Sequence, residues 1–212
     1  MRPEIIQVHS LGNLDAGLIR AAKVISAGGI VAVPTESFYG LAVDATNERA
    51  IERLLEVKQR PPDNPILILI SSVTGLEHYV PNIPENARRL MARFWPGGLT
   101  MVFKSGVRIS PLLTAGTGKI GVRLSSHPVP PGLARAAGVP ITGTSANLSG
   151  KPACMSVEAI KAHFGKEVDL ILDGGRTAGG RGSTVIDVTV RPPRIIREGM
   201  VSRDQLQDFL QD

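Results

Sequence analysis

The chain has 212 residues, of which 42% are hydrophobic, 20% are charged and only 4% are aromatic. Its core must therefore be built from Leu, Ile, Val and Ala. The longest apolar runs fall far short of the ~20 residues that a membrane-spanning helix needs, and Cys154, the one cysteine, excludes an internal disulfide.

The first 60 residues alternate helices and strands. A helix is predicted over 13–27, with Asn13 as its N-cap, because apolar residues recur at helical spacing before Gly28. A buried strand is expected over 30–33 and a second strand over 37–44.

The following helix is expected to begin after Asn47 and to end near Lys58, since Pro61 and Pro62 forbid its continuation. A capping box of Ser202 and Gln205 predicts a final helix. The elements predicted between these helices are a strand at 66–70, a helical turn at 74–79, a helix opening at Pro84, strands at 99–103 and 120–124, a helix at 131–137, a strand at 140–145, a helix from Ser156 to about Phe164, and strands at 168–172, 183–188 and 194–197.

This order of elements predicts the fold class. Early strand–helix alternation followed by a strand-rich part is typical of an α/β or α+β protein with a mixed parallel and antiparallel sheet flanked by helices. The sequence contains no internal repeat or linker, so we predict one domain over residues 1–212.

The net charge of +5 is compatible with anionic partners such as nucleotides or RNA, although it does not require them. The start MRPEIIQVHS lacks the apolar segment of a secretory signal. We therefore expect a cytoplasmic protein.

Polar, glycine-rich turns follow several of the predicted strands. They are PTES (34–37), TGTSANLSG (142–150) and GGRTAGGRGST (174–184). Such turns offer backbone N–H groups and small hydroxyls to phosphate and carboxylate oxygens. No GxxxxGK(S/T) or GxGxxG motif is present, so a nucleotide site here would be of a non-standard type.

Two cations stand on a proline-rich segment, KQRPPDNP, between a helix and a buried strand. Lys58 and Arg60 could simply neutralise the negative end of the helix, worth ~0.3–1 kcal/mol. They could instead be held rigidly beside the sheet to bind a polyphosphate. Composition alone favours the first alternative.

Other polar residues also have two interpretations. Arg123 is the one charge in the apolar strand IGVRL, which fits either a solvent-facing position or a grip on a substrate carboxylate. Ser145 and Asn147 could serve only to form a turn. The four histidines have no metal-ligand spacing and Cys154 has no nucleophile motif, so neither predicts a site.

Taken together, the segments PTES-FYGL, KQRPPDNP, FWPGGLT, GVRLSSHP, TSANLSG, GSTVID and REG occur in one order along most of the chain. In this they resemble the YrdC family of threonylcarbamoyl-AMP synthases. The resemblance implies a twisted α/β sheet over a concave, positively charged cavity. It also implies an activity that joins bicarbonate or CO₂, L-threonine and ATP into threonylcarbamoyl-adenylate with release of pyrophosphate, for the modification of tRNA.

The resemblance also implies roles for individual residues. Contacts with ATP are expected from Lys58, Arg60, Asn64, Ser145, Asn147 and Arg197, with Lys58 and Arg60 neutralising charge during catalysis. Contacts with threonine or its carbamate are expected from Thr35, Ser37, Arg123 and Ser183, with Thr184 supporting Ser183. Mg²⁺ is expected to arrive with ATP and to need no carboxylate ligand from the chain.

The sequence departs from the family pattern at Leu69, where many members have a histidine near the threonine site. The chain ends soon after REG and so resembles the single-domain type. Further partners implied are tRNA and a protein that transfers the threonylcarbamoyl group. Two alternatives remain open: a non-catalytic module that binds tRNA or double-stranded RNA, and a carbamoyl-adenylate-handling domain of the hydrogenase-maturation type.

Overall fold

The computed structural model describes residues 2–9, 11–61 and 63–211. Within these ranges the strands are β1 Glu4–Gln7, β2 Val31–Pro34, β3 Tyr39–Ala42, β4 Leu67–Leu69, β5 Leu99–Lys104, β6 Lys119–Arg123, β7 Ile141–Ser145, β8 Leu170–Asp173, β9 Thr184–Asp187 and β10 Arg194–Arg197. The α-helices are α1 Leu11–Ser26, α2 Glu48–Lys58, α3 Glu85–Phe94, α4 Pro111–Thr114, α5 Val129–Ala137, α6 Val157–Phe164 and α7 Arg203–Leu206, with 3₁₀ turns at Leu76–His78 and Gln207–Phe209.

The described strands form one continuous sheet in the order β1-β8-β2-β3-β7-β4-β6-β5-β9-β10. The pairs β1/β8, β8/β2, β4/β6 and β5/β9 are parallel, and the other neighbours are antiparallel. The predicted fold class, a mixed sheet flanked by helices, is confirmed.

Helix α2 ends for the local reasons that the sequence contains. The Asn47 side chain accepts a hydrogen bond from the Ala50 amide, 3.2 Å long, and so caps the first turn. The helix ends at Lys58, and Gln59 follows in the left-handed conformation with φ of 49°. Pro61 lies beyond the helix, whereas the predicted contribution of Pro62 lies outside the described residues.

The start of α1 differs from the prediction. The helix begins at Leu11, so Asn13 lies inside its first turn and is not the N-cap. The apolar residues that predicted this helix, among them Leu18, Ala21 and Ile25, fix its buried face and do not define where it begins.

The two faces of the sheet are covered differently. Helices α2, α3, α4, α6 and α7 contribute residues to the larger core, where Ile120 and Val122 of β6 also lie. On the opposite face, α1 and α5 pack on each other and over β8, β2 and β7. Over β6, β5 and β9 this second face forms the floor of a cavity.

No helix in the described part of the chain is long and apolar enough to cross a lipid bilayer.

Candidate active site

A cavity of about 970 Å³ lies on the uncovered half of the sheet, at the upper end of the ~300–1,000 Å³ typical of ligand sites. Because side chains alternate between the two faces of a strand, every second residue of the strands below the cavity contributes to its floor. On β5, β6 and β9 the floor residues are Thr100 and Val102, then Lys119, Gly121 and Arg123, and then Ser183 just before β9 with Val185 and Asp187 within it. Leu67 and Leu69 of β4 and Gly143 of β7 also line the cavity.

Positive charge dominates the lining of this cavity. Five basic side chains, Arg60, Lys119, Arg123, Arg181 and Arg197, meet two acidic ones, Asp187 and Glu198. Burial and the Arg197 charge lower the pKa of Arg60, and burial and the Arg123 charge lower the pKa of Arg197. Three guanidinium groups from distant segments are therefore close enough to repel one another, an arrangement that favours an anionic ligand.

The proline-rich loop after α2 holds Arg60 in place. Its Nε donates to the Asn64 carbonyl oxygen over 3.1 Å and its Nη2 donates to the Pro65 carbonyl oxygen over 2.9 Å. The loop thus wraps around its own guanidinium group. Asn64 is exposed and lies outside the cavity lining, so its contribution here is the backbone carbonyl.

Lys58 is buried and does not line the cavity, in contrast to Arg60. Its ammonium group donates to the carbonyl oxygens of Ser145 and Asn147, the latter over 2.8 Å. Burial, together with the Arg60 charge, lowers the pKa of Lys58 to about 7. The side chain therefore connects the end of α2 with the turn that follows β7.

That turn contains the predicted nucleotide contacts Ser145 and Asn147. The Ser145 hydroxyl lines the cavity and donates to Asn147 Oδ1. The Asn147 amide nitrogen donates to the carbonyl oxygens of Leu148 and Lys151, over 3.0 and 2.8 Å. In this conformation Asn147 shapes the turn and Ser145 faces the cavity.

Thr35 and Ser37 form part of the cavity wall, on the turn between β2 and β3. The Thr35 hydroxyl donates to the Phe38 carbonyl oxygen over 2.6 Å and accepts the amides of Ser37 and Phe38. The two hydroxyl oxygens are 3.5 Å apart, and both residues line the cavity. The Ser37 carbonyl also accepts the Gly179 amide over 2.7 Å, which ties the glycine-rich loop to this wall.

Arg123 is held by a carboxylate that sequence reasoning missed. Its Nη2 forms an ion pair with Glu36, the acidic residue of PTES, and its Nε donates to the Gly97 carbonyl oxygen over 2.9 Å. Burial raises the pKa of Glu36, but the Arg123 charge and a hydrogen bond from Ser125 outweigh it, so the pKa lies below its ordinary value. The sequence feature that could have pointed to Glu36 is the arginine in an apolar strand, because a buried arginine requires a charged or hydrogen-bonding partner.

Ser183 lies between Thr100 and Arg197. Its hydroxyl oxygen is 2.8 Å from that of Thr100, and its carbonyl accepts a hydrogen bond of 2.8 Å from Arg197 Nη2. Thr184 is fully buried and lies outside the cavity lining. Its hydroxyl donates to the Val201 carbonyl and accepts the Gly199 amide, so it fastens the REG segment to β9 beside Ser183.

The described residues contain no cluster of three or more His, Cys, Asp or Glu side chains that could hold a metal ion. Asp187 is already paired with Lys119 over 2.8 Å.

The fold and cavity define a class: a mixed α/β protein whose basic, hydroxyl-lined cavity suits anionic ligands. The chain belongs to the Sua5/YciO/YrdC family, since residues 23–199 match that family's model, which is described as "Telomere recombination". The family resemblance found in the motifs is confirmed.

Similar proteins carry more specific names. A threonylcarbamoyl-AMP synthase of Pyrococcus abyssi is 40% identical over 190 residues, covering 90% of this chain and 56% of the relative. One of Bacillus subtilis is 36% identical over 198 residues, covering 93% and 57%. The crystal structure of P. abyssi Sua5 complexed with L-threonine matches with a TM-score of 0.93 and 37% identity, covering 97% of this chain and 60% of that one. The chain thus spans less than two thirds of the length of each.

Proposed function

We propose that this chain is an L-threonylcarbamoyladenylate synthase, which condenses L-threonine, bicarbonate or CO₂ and ATP with release of pyrophosphate. The observation that carries the proposal is the convergence of Arg60, Arg123 and Arg197 on one cavity lined by small hydroxyls. The names of the relatives and the threonine complex of P. abyssi Sua5 support it.

The threonine end of the cavity is proposed to lie between β6 and the PTES turn. The guanidinium of Arg123 can bond the α-carboxylate through Nη1, since Nε donates to Gly97 and Nη2 is paired with Glu36. The hydroxyls of Thr35, Ser37 and Ser183 lie on the lining around it and can bond the polar groups of threonine or of its carbamate. Thr184 acts through Ser183, because its own hydroxyl is buried against Val201.

The ATP end is proposed to lie near Arg60 and Arg197. These guanidinium groups would contact the phosphates, with the Ser145 hydroxyl beside them on the cavity wall. Lys58, Asn64 and Asn147 are then supporting residues in this conformation. Lys58 holds the Ser145 turn, Asn64 holds Arg60 through its carbonyl, and Asn147 braces the loop.

The proposed chemistry needs no covalent enzyme intermediate. The threonine amine attacks the carbon of CO₂ and loses a proton, which gives a carbamate. A carbamate oxygen then attacks the α-phosphorus of ATP, and the bond to the leaving pyrophosphate breaks. Arg60 and Arg197 neutralise negative charge, and Mg²⁺ carried by the triphosphate would supply further neutralisation.

The deciding experiment supplies the purified chain with ATP, Mg²⁺, bicarbonate and one amino acid at a time, and detects the acyl-adenylate by mass spectrometry. Threonylcarbamoyl-adenylate and pyrophosphate should form with threonine and only when bicarbonate is present. We propose that the product serves tRNA modification through a transfer protein. Salt-dependent tRNA binding without threonine-dependent pyrophosphate release would instead favour an RNA-binding module.

A further inference from the structure

We infer that Glu36 is a positioning residue that fixes the orientation of Arg123, so that Nη1 of the guanidinium group is presented to the carboxylate of the amino-acid substrate. The inference rests on the proposed function, because it assigns the substrate carboxylate to Arg123. The family resemblance assigned no role to Glu36, so this inference adds a residue to the site.

The first argument is the way in which Arg123 is held. Its side chain is only 8% exposed and that of Glu36 only 13%. Nε donates a hydrogen bond to the Gly97 carbonyl, while the buried Nη2 makes no hydrogen bond but is ion-paired with Glu36, so two of the three guanidinium nitrogens have partners in different segments. Two such contacts determine the plane of the group. A ligand carboxylate in the cavity would then meet Nη1.

The second argument is that Glu36 is itself held in place. Ser125 donates to its Oε2 over 2.7 Å, and the Ser126 hydroxyl donates to its Oε1 over 3.2 Å. These serines lie two and three residues after Arg123, while Glu36 lies between Thr35 and Ser37. The carboxylate therefore links the two segments that are proposed to bind threonine, and its movement would displace both.

The third argument is charge. The lowered pKa keeps Glu36 ionised near neutral pH, so it is a poor proton acceptor for the substrate amine and a good partner for a guanidinium. Arg123 also lies near Arg197, whose pKa it lowers. A fixed negative charge behind Arg123 reduces the repulsion within the cavity without facing the ligand itself.

The test compares Glu36→Gln, which keeps the shape and removes the charge, with the wild-type chain. The Michaelis constant for threonine should rise about 10- to 100-fold, the range expected when a charge-assisted contact is lost. The Michaelis constant for ATP should stay within about twofold, since Arg60 and Arg197 are unchanged. Asp169→Asn is the matched control, because it breaks the Arg53 pair away from the cavity and should leave the threonine constant unchanged.

A second measurement guards against a variant that fails to fold. Ser125→Ala and Ser126→Ala remove hydrogen bonds to Glu36 without leaving a buried charge alone, and they should raise the threonine constant in the same direction by a smaller factor. In the wild type, the Nε–H signal of Arg123 in a ¹⁵N spectrum should exchange slowly with water. Glu36→Gln should speed that exchange.

The outcomes separate this role from the proposed function. A folded Glu36→Gln chain with an unchanged threonine constant, or with equal increases for threonine and ATP, would overturn the positioning role and leave the synthase activity standing. Failure of the wild-type chain to bind threonine would overturn the proposed function. The Arg123 exchange rate would then still report whether Glu36 holds the guanidinium.

Discussion

The ammonium group of Lys58, at the end of α2, donates a hydrogen bond to the carbonyl oxygen of Ser145, at the end of β7. It donates a second hydrogen bond, 2.8 Å long, to the carbonyl oxygen of Asn147. A side chain for which the family resemblance implied phosphate binding thus holds two backbone carbonyls. This relationship joins the helix that precedes Arg60 to the turn that presents the Ser145 hydroxyl.

Lys58→Met should therefore lower stability and activity together. Met retains most of the apolar stem but leaves the two carbonyls without their donor, which costs roughly 1–3 kcal/mol for each buried group left unsatisfied. The melting temperature should fall by several degrees, and pyrophosphate release should fall as the Ser145 turn loses its support. Lys166→Met, at an exposed lysine, is the control and should change neither. A stable but inactive Lys58→Met chain would indicate direct phosphate contact.

The same lysine predicts a pH dependence of stability. Its pKa is about 7 in the folded chain and 10.5 when unperturbed, so the unfolded chain binds the proton more tightly. Folding then releases a proton between these values, and the contribution of Lys58 to stability rises as the pH increases from about 7 towards 10.5. The difference in unfolding free energy between wild type and Lys58→Met should widen over that window. A difference that is constant or narrows would contradict the lowered pKa.

Arg60→Ala should reduce turnover far more than stability. The side chain makes two contacts to carbonyls of its own loop and lies at the cavity, half-buried. Loss of a preorganised charge near the phosphates is expected to cost about 10²–10³ in turnover, while the melting temperature should change little. Arg49→Ala, at an exposed arginine of α2, serves as control. If the variant lost much stability but kept normal turnover per folded molecule, Arg60 would be a helix-capping residue only.

Ser183→Ala should weaken threonine binding selectively. The Ser183 hydroxyl is buried beside that of Thr100 at the floor of the cavity. Removing it should raise the Michaelis constant for threonine roughly tenfold, the factor expected when one buried hydrogen bond is lost, while the Michaelis constant for ATP should change little. Ser110→Ala removes a comparably buried hydroxyl that donates to Glu48, away from the cavity, and should leave both constants alone. Equal effects of the two variants would argue against a threonine site at Ser183.

Features determined by neighbouring residues could be predicted from the sequence. The end of α2 at Lys58 follows from helical spacing and the prolines beyond it, and the mixed sheet follows from the order of strands and helices. A single charged residue in an apolar strand, such as Arg123, indicated a possible binding residue, because burying a charge without a partner costs free energy.

Features that depend on distant segments could not be predicted in this way. Glu36 and Arg123 are 87 positions apart in the chain, and Lys58 meets Ser145 in a sheet where β7 pairs with β4 and β3. No local spacing encodes such contacts. The exact start of α1 was also missed, because the apolar period specifies which face is buried but not the first residue of the helix.

The central claim, that one cavity holds both substrates side by side, can be measured directly. With Mn²⁺ bound to a non-hydrolysable ATP analogue, the ¹³C-carboxyl signal of bound threonine should relax much faster than with Mg²⁺, because the cavity of about 970 Å³ leaves room only for close neighbours. Arg60→Ala should weaken this effect through loss of the nucleotide. If threonine and the Mn²⁺ analogue both bind the wild-type chain and the threonine signal does not change, the two ligands occupy separate places and the account is wrong.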